Sequence, residues 1–179
     1  RGYMQTVSTK CDWSEIDREL GKSFEISLNT YKPFACGIVI HPAIDACAQL
    51  RAQGVKTEDV ERIELRAHPL VLELTGKKTP KDGLEGKFSI QYSMAATLLD
   101  RQLTLNVFTD EMVQRPRIRE LMQRVKRYRI EDSKIYSGVV GYTDVTVETP
   151  RGSFNIRVDK TPGSPDWPLS AESRALKFL

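Results

Sequence analysis

The sequence has little of what metal, redox or disulfide chemistry requires. It contains three cysteines and two histidines in 179 residues, with no C-x-x-C pair and no matched histidine spacing. An odd cysteine count without a disulfide pattern favours a reducing compartment, so we expect a cytoplasmic protein. An iron–sulfur site held by Cys11, Cys36 and Cys47 is the alternative, and their wide spacing argues against it. We therefore expect neither a metal nor a cofactor.

Several other signals are also missing. No apolar run approaches the roughly 18–20 residues that cross a bilayer, so we expect no membrane partner. The sequence has no P-loop, no G-x-G-x-x-G after a strand, no G-x-S-x-G and no H-E-x-x-H. Readings as a nucleotide-binding protein, a lipase-type hydrolase or a zinc protease therefore lack support.

The charge pattern argues against nucleic-acid binding. The 27 basic residues are interleaved with 24 acidic ones, and the net charge is only +3. A nucleic-acid binder usually gathers its lysines and arginines in one stripe. The densest basic run, residues 115–129, falls on a predicted helix that also has an apolar face. We interpret it as a solvated helix face, with RNA binding as the weaker alternative.

Hydrophobic periodicity predicts alternating helices and strands that end in a hairpin. Alternation of apolar and polar residues predicts strands, and spacings of three and four predict helices. The pattern indicates an α+β two-layer sandwich, with a largely antiparallel sheet of about four strands and helices packed on one face. The predicted strands are residues 24–28, 60–67, 139–149 and 153–158. The predicted helices are residues 13–20, 42–54, 88–99 and 110–126, the last kinked or restarted at Pro116.

We predict three segments along the chain. Residues 1–22 form a connector with a short helix, and residues 23–160 form the α+β domain. Residues 161–179 form a proline-rich linker and the start of a helix that Ser170 caps. The apolar residues of that helix, Leu176, Phe178 and Leu179, have no obvious partner in the chain.

The segment from Tyr31 to Gln49, YKPFACGIVIHPAIDACAQ, carries the first candidate site. The residue before a proline is biased towards extended backbone, so we expect His41 to lie outside the helix that Pro42 opens. Unpaired N–H groups at such a helix start attract anions. Lys32, at the other end of a short loop, adds a full positive charge. The segment thus predicts that a carboxylate or phosphate group binds between Lys32 and the start of this helix.

Four segments in this order resemble the MmgE/PrpD family of 2-methylcitrate dehydratases, cis-aconitate decarboxylases and related epimerases. The first is K-P-F-A-C running into H-P-A-I-D-A, residues 32–46. The second is HPLVLELTGKKTPKDGLEGKFSIQY, residues 68–92, followed by SMAATLLD. The third is FTDEMVQRPRIRELMQRV, residues 108–125, and the fourth is TPGSPDWPLS, residues 161–170. The resemblance covers most of residues 20–175.

The resemblance implies that the chain is the small, lid-like domain of a longer enzyme. Such an enzyme abstracts a proton next to a carboxylate and expels water or another group from a small carboxylate substrate. Its N-terminal helical domain, which is missing here, would supply the general base, so we expect this chain alone to be inactive. We also expect a homo-oligomer. A decarboxylase or epimerase of the same family, or a non-catalytic domain for ligand binding or assembly, are the alternatives.

The resemblance also assigns roles to five residues. Lys32 matches an active-site lysine and is expected to bind a substrate carboxylate, and Lys87 and Ser89 are expected to help it. Tyr92 matches an active-site tyrosine and becomes a candidate proton or hydrogen-bond donor, with a core tyrosine as the alternative. His41 either caps its helix or enters the cleft as an acid, base or orienting group.

Two positions near Lys32 bear on the type of reaction and on the role of the nearby cysteine. The decarboxylase branch of the family carries a histidine five residues after the matched lysine, and here that position is Gly37, which argues against a decarboxylase. Cys36 is expected to be packed in the loop rather than nucleophilic, since nothing in the sequence would lower its pKa.

Overall fold

The computed structural model describes residues 2–100, 103–130, 142–160 and 162–176, and these residues divide into two units. The first unit ends at Thr30 and the second begins at Tyr31. The first contains helix α1 (Tyr3–Val7) and two 3₁₀ turns, and its described apolar side chains are largely exposed. The candidate site residues all belong to the second unit.

Two predictions in the first unit are wrong. The helix predicted for residues 13–20 is only a 3₁₀ turn at Trp13–Glu15 followed by further turns. The strand predicted for residues 24–28 is a 3₁₀ turn at Glu25–Leu28. The Ser27 hydroxyl donates to the Phe24 carbonyl at 2.7 Å, a local bond that competes with strand pairing. Alternating apolar residues form a strand only when a neighbouring strand and a core are available to them.

The second unit is built on a four-stranded sheet in the order β2-β1-β3-β4. Strand β1 pairs with β2 in parallel and with β3 antiparallel, and β3 pairs antiparallel with β4. The predicted α+β fold with a largely antiparallel sheet is confirmed. The strands are β1 (Arg62–Ala67), β2 (Val125–Arg129), β3 (Thr143–Thr149) and β4 (Gly152–Val158). Of the predicted strand at 139–149, residues 139–141 lie outside the described residues.

The helices cover the face of the sheet on which the alternating apolar side chains lie. Ile63, Leu65 and Val145 are completely buried there. Helix α2 packs on β3 and β4, and α5 packs against α2 and α7. The helices are α2 (His41–Ala52), α3 (Pro69–Leu74), α4 (Gly83–Gly86), α5 (Ile90–Asp100), α6 (Asp110–Val113), α7 (Pro116–Arg124) and α8 (Ala171–Leu176).

The helix predicted at 110–126 differs from the structure at its C-terminal end. The predicted restart at Pro116 is present, because α6 ends at Val113 and α7 begins at Pro116. However, α7 ends at Arg124, and the chain continues directly into β2. The basic run at 115–129 therefore lies partly on a helix and partly on an edge strand. The pairing of β2 with the distant β1 overrides the helical periodicity.

The C-terminal helix is capped as predicted, because the Ser170 hydroxyl accepts from the Ser173 N–H at 3.0 Å. None of the six residues of α8 is buried, and Leu176 is exposed. Phe178 and Leu179 lie outside the described residues, so their predicted lack of a partner stays a prediction. None of the described helices combines the length and the apolar composition needed to cross a membrane.

Candidate functional site

The loop that carries Lys32 is attached to the proline-rich turn near the C-terminus. The N–H of Tyr31 donates to the Gly163 carbonyl at 2.9 Å, and the Gly163 N–H donates to the Trp167 carbonyl at 2.8 Å. Gly163 has a φ of +93°, and a Cβ there would lie 1.9 Å from the Tyr31 carbonyl oxygen. Only glycine allows this backbone conformation and this close approach. The fourth motif segment is thus hydrogen-bonded to the chain at the start of the first.

A second backbone contact joins the loop that begins at Lys32 to the segment that carries Lys87. The N–H of Gly37 donates to the carbonyl of Lys87 at 3.1 Å. The loop that begins at Lys32 therefore docks on the turn between α4 and α5. Lys32 is exposed and Lys87 is partly buried.

The charges of both lysines act on the thiol of Cys36. Its side chain is buried, and burial raises the pKa of the thiol from the usual 9.0 to about 12. The positive charges of Lys32 and Lys87 act in the opposite direction and lower that pKa. Both lysines are thus close enough to act on one buried sulfur atom. The thiol itself is packed and protonated at neutral pH, as the sequence predicts.

His41 occupies a different position from the expected one. It is the first residue of α2 with φ −55° and ψ −41°, so the expected extended backbone is wrong. A 3₁₀ turn at Ile38–Ile40 runs directly into α2, and the His41 N–H donates to the Ile38 carbonyl. The proline restriction on the preceding residue is a bias that this continuous turn overrides.

The start of α2 also differs from the predicted anion-binding site. Ile40, His41 and Ala43 are at most 1% exposed, so the first turn of the helix does not open to solvent. The His41 ring packs edge-to-face against Phe34, with ring centroids 5.3 Å apart. In this arrangement the imidazole is covered by its neighbours. Its expected catalytic role stays a prediction.

Ser89 and Tyr92 lie inside the domain, at the start of α5. The Ser89 hydroxyl oxygen accepts from the Tyr92 N–H at 3.3 Å, which caps the helix. The Tyr92 hydroxyl donates to the Val107 carbonyl, and its ring lies 5.9 Å from that of Phe108. Burial raises the pKa of Tyr92 to about 12, and the Asp100 carboxylate adds to the rise. Both side chains are wholly buried, so their expected roles towards a substrate stay predictions.

The structure therefore places Lys32 and Lys87 on two segments that are hydrogen-bonded to each other, and it places His41, Ser89 and Tyr92 in the interior. Among residues 2–100, 103–130, 142–160 and 162–176, no group of three His, Cys, Asp or Glu side chains is placed to hold a metal ion. Sequence reasoning did not find the Gly37–Lys87 hydrogen bond that joins the two lysine-bearing segments. The sequence gives no signal for it beyond a glycine in the loop.

Comparison with known proteins shows to which family the chain belongs. The profile of the MmgE/PrpD C-terminal domain matches residues 34–179. Cis-aconitate decarboxylase of Mus musculus is 30% identical over 156 residues, which cover 83% of this chain and 31% of that protein. The Homo sapiens protein of the same name is 30% identical over 155 residues, covering 83% of this chain and 32% of its own length.

A dehydratase is similar over a shorter stretch. The 2-methylcitrate dehydratase of Salmonella typhimurium is 30% identical over 90 residues, which cover 50% of this chain and 19% of that protein. This chain thus spans about a third of the length of the decarboxylases, and less of the dehydratase. The motif segments, the α+β domain and the matched profile agree: the chain belongs to the MmgE/PrpD family and carries its C-terminal domain.

Proposed function

We propose that this domain provides the carboxylate-binding side of the active site of a lyase that acts on a small di- or tricarboxylate. The observation that carries the proposal is that the charges of Lys32 and Lys87 both act on Cys36, in segments that the Gly37–Lys87 hydrogen bond joins. Two lysines near one buried residue suit a substrate with several carboxylates, because each lysine binds one carboxylate as a point charge. The names of the relatives, which act on cis-aconitate or 2-methylcitrate, support a substrate of this class.

The proposed reaction is the elimination of water. A base removes the proton from the carbon next to a carboxylate, the bond from the neighbouring carbon to its hydroxyl oxygen breaks, and an acid protonates the departing hydroxide. Negative charge builds up on the carboxylate during proton removal, and fixed cations stabilise it. Lys32 and Lys87 take that role. The base comes from a part of the enzyme outside this domain.

His41, Ser89 and Tyr92 enter this scheme only through a change in packing. Each is buried, and the Tyr92 hydroxyl already donates to a backbone carbonyl. We propose that His41 and Tyr92 exchange protons with substrate and that Ser89 binds a carboxylate after the rest of the enzyme docks on this domain. Docking that displaces Phe34 would expose the His41 ring, which Phe34 now contacts.

Position 37 favours a dehydratase over a decarboxylase. It is glycine here, where the decarboxylase branch of the family has a histidine. A Cβ at this position would meet the Lys87 carbonyl oxygen at 3.6 Å, which is an ordinary contact. The backbone could therefore accommodate a side chain, and its absence removes one imidazole from the site rather than relieving a steric clash.

The test is turnover by the enzyme in which this domain is joined to its N-terminal helical domain. We expect loss of water from 2-methylcitrate and no carbon dioxide from cis-aconitate. This domain alone should turn over neither acid, because it lacks the base. Release of carbon dioxide would move the assignment to a decarboxylase. Failure of the joined enzyme to turn over or bind any di- or tricarboxylate would favour a non-catalytic domain for assembly.

A further inference from the structure

A basic hollow lies at the edge of the sheet, beside the unpaired side of β2 among the described strands. Its volume is about 400 Å³, and its walls come from three parts of the chain. The polar loop before α4 contributes Lys78, the first turn of α5 contributes Gln91, and β2 contributes Lys126 and Arg127. None of these residues belongs to the group around Cys36.

The charged residues that line this hollow are all basic. Lys78, Lys126 and Arg127 line it, and its other lining residues are Gln91, Val125 and Tyr128, so no carboxylate of the described residues faces it. A second hollow adjoins it and shares Lys78 and Gln91. That neighbour adds Arg119, again without a carboxylate in its lining. Cations gathered without counter-charges attract anions and raise their local concentration.

Two polar atoms at this hollow are buried and lack a hydrogen-bond partner in the described part of the chain. They are Nη1 of Arg127 and Oε1 of Gln91, and Gln91 is only 6% exposed. Buried polar atoms are almost always paired, so such a coincidence calls for a ligand or ordered water. By contrast, the nearby Arg119 donates to the Pro80 carbonyl and to Gln114.

Partial burial of Arg127 disfavours its charged form. It lowers the pKa of the guanidinium, and no carboxylate among residues 2–100, 103–130, 142–160 and 162–176 pairs with it. Two other arginines of the sheet differ, since Arg62 pairs with Glu64 at 2.6 Å and Arg157 with Asp144 at 3.0 Å. A buried N–H group of a partly buried guanidinium is unfavourable until an acceptor reaches it.

We propose that this hollow is a binding site for a small oxyanion that carries two or more negative charges. The planar guanidinium of Arg127 can donate two parallel hydrogen bonds to a carboxylate or phosphate. The amide of Gln91 can turn so that its NH₂ group donates, because its two ends are interchangeable in shape. Lys78 and Lys126 add charge at the rim. The site is independent of the function proposed above for Lys32 and Lys87.

The experiment is titration of this chain with inorganic phosphate, citrate and chloride at matched ionic strength, followed by calorimetry and by the amide NMR shifts of Gln91 and Arg127. We expect saturable binding of phosphate or citrate, but not of chloride, with shifts at both residues. Saturation by phosphate alone identifies a phosphate group, and saturation by citrate alone identifies a carboxylate. Binding of citrate that moves only Cys36 and Gly37 would locate it at the lysine pair and overturn this site.

Substitutions complete the test. Arg127→Gln and Lys78→Ala should each weaken the anion affinity by about tenfold or more, as expected for a charge-assisted hydrogen bond or a close ionic contact. The control is Arg117→Gln, which removes one positive charge from a different hollow that also contains Glu58. If Arg127→Gln does not fold, Lys78→Ala still tests the site, because Lys78 is exposed. Equal weakening by the control, or no saturable binding of either anion, would overturn the proposal.

Discussion

The N–H of Gly37 and the carbonyl oxygen of Lys87 are joined by a 3.1 Å hydrogen bond, and this bond connects two segments that each carry a lysine of the candidate site. It fixes the loop after Lys32 against the turn before α5. Because it is made by backbone atoms, it does not depend on which side chains surround it. The position of the Lys32 loop therefore depends on this contact together with the Tyr31–Gly163 hydrogen bond.

Gly37→Pro should break this contact. Proline lacks the N–H donor, although the φ of −57° at this position suits its ring. We expect the free energy of unfolding to fall by about 1–3 kcal/mol, because the Lys87 carbonyl loses its partner. Urea denaturation measures the change. Gly37→Ala is the matched control, since its Cβ meets only ordinary contacts. Equal loss in the two variants would show that the hydrogen bond is not what matters.

Gly163→Ala should detach the Lys32 loop from the C-terminal turn. The new Cβ would lie 1.9 Å from the Tyr31 carbonyl oxygen, in a backbone region that favours glycine. Gly54→Ala is the control, because Gly54 has a φ of +90° but open space around it. The control should cost about 1–2 kcal/mol from backbone strain alone. Gly163→Ala should cost clearly more in thermal denaturation, and equal losses would contradict the close approach.

Alkaline pH should destabilise the domain through Cys36. Its thiol has a pKa of about 12 when folded and near 9.0 when unfolded, so the folded state holds the proton more tightly. The stability is thus complete below pH 9 and is lost as the pH rises towards 12. Urea midpoints across this range measure the effect. Cys36→Ala should flatten the decline, and an unchanged slope would argue against a buried, protonated thiol.

Tyr92→Phe should lower the stability by about 1 kcal/mol, because the Val107 carbonyl loses the hydroxyl that bonds to it. Chemical denaturation of the domain measures this change. In the joined enzyme, the same substitution also tests the proposed proton transfer. A drop in kcat of about a hundredfold supports that role, since acid–base catalysis contributes at least this much. A normal kcat with reduced stability would leave Tyr92 as a core residue.

The order of apolar and polar residues correctly predicted the elements that are buried on one face or on every face. Ile63, Leu65 and Ala67 alternate in the sequence, and all three are completely buried in β1. Helix α5 was predicted from its apolar character on all sides, and it packs between α2 and α7. An element that is buried on one face, or on every face, has a recognisable pattern of apolar residues in the sequence.

The wrong predictions concern residues whose structure is set by their context and not by the local pattern. Strand β2 follows α7 without a break, and only its pairing with the distant β1 makes it a strand. His41 enters α2 because a 3₁₀ turn precedes it, which outweighs the effect of Pro42. In the candidate site, the resemblance to the family indicated Lys32 and Lys87, but the contact between their segments depends on a backbone bond. The basic hollow could not be foreseen, because the predicted helix at 110–126 includes Lys126, which lines the hollow from β2.

The most direct test of the central claim is the effect of Lys32→Ala and Lys87→Ala on the kinetics of the joined enzyme with 2-methylcitrate. If both lysines bind substrate carboxylates, each substitution should raise KM by about tenfold or more, the value of a lost charge-assisted contact. Lys56→Ala, in a separate hollow, should leave KM and kcat unchanged. If kcat/KM stays at the wild-type value in both lysine variants while the enzyme remains folded and active, these lysines do not bind the substrate.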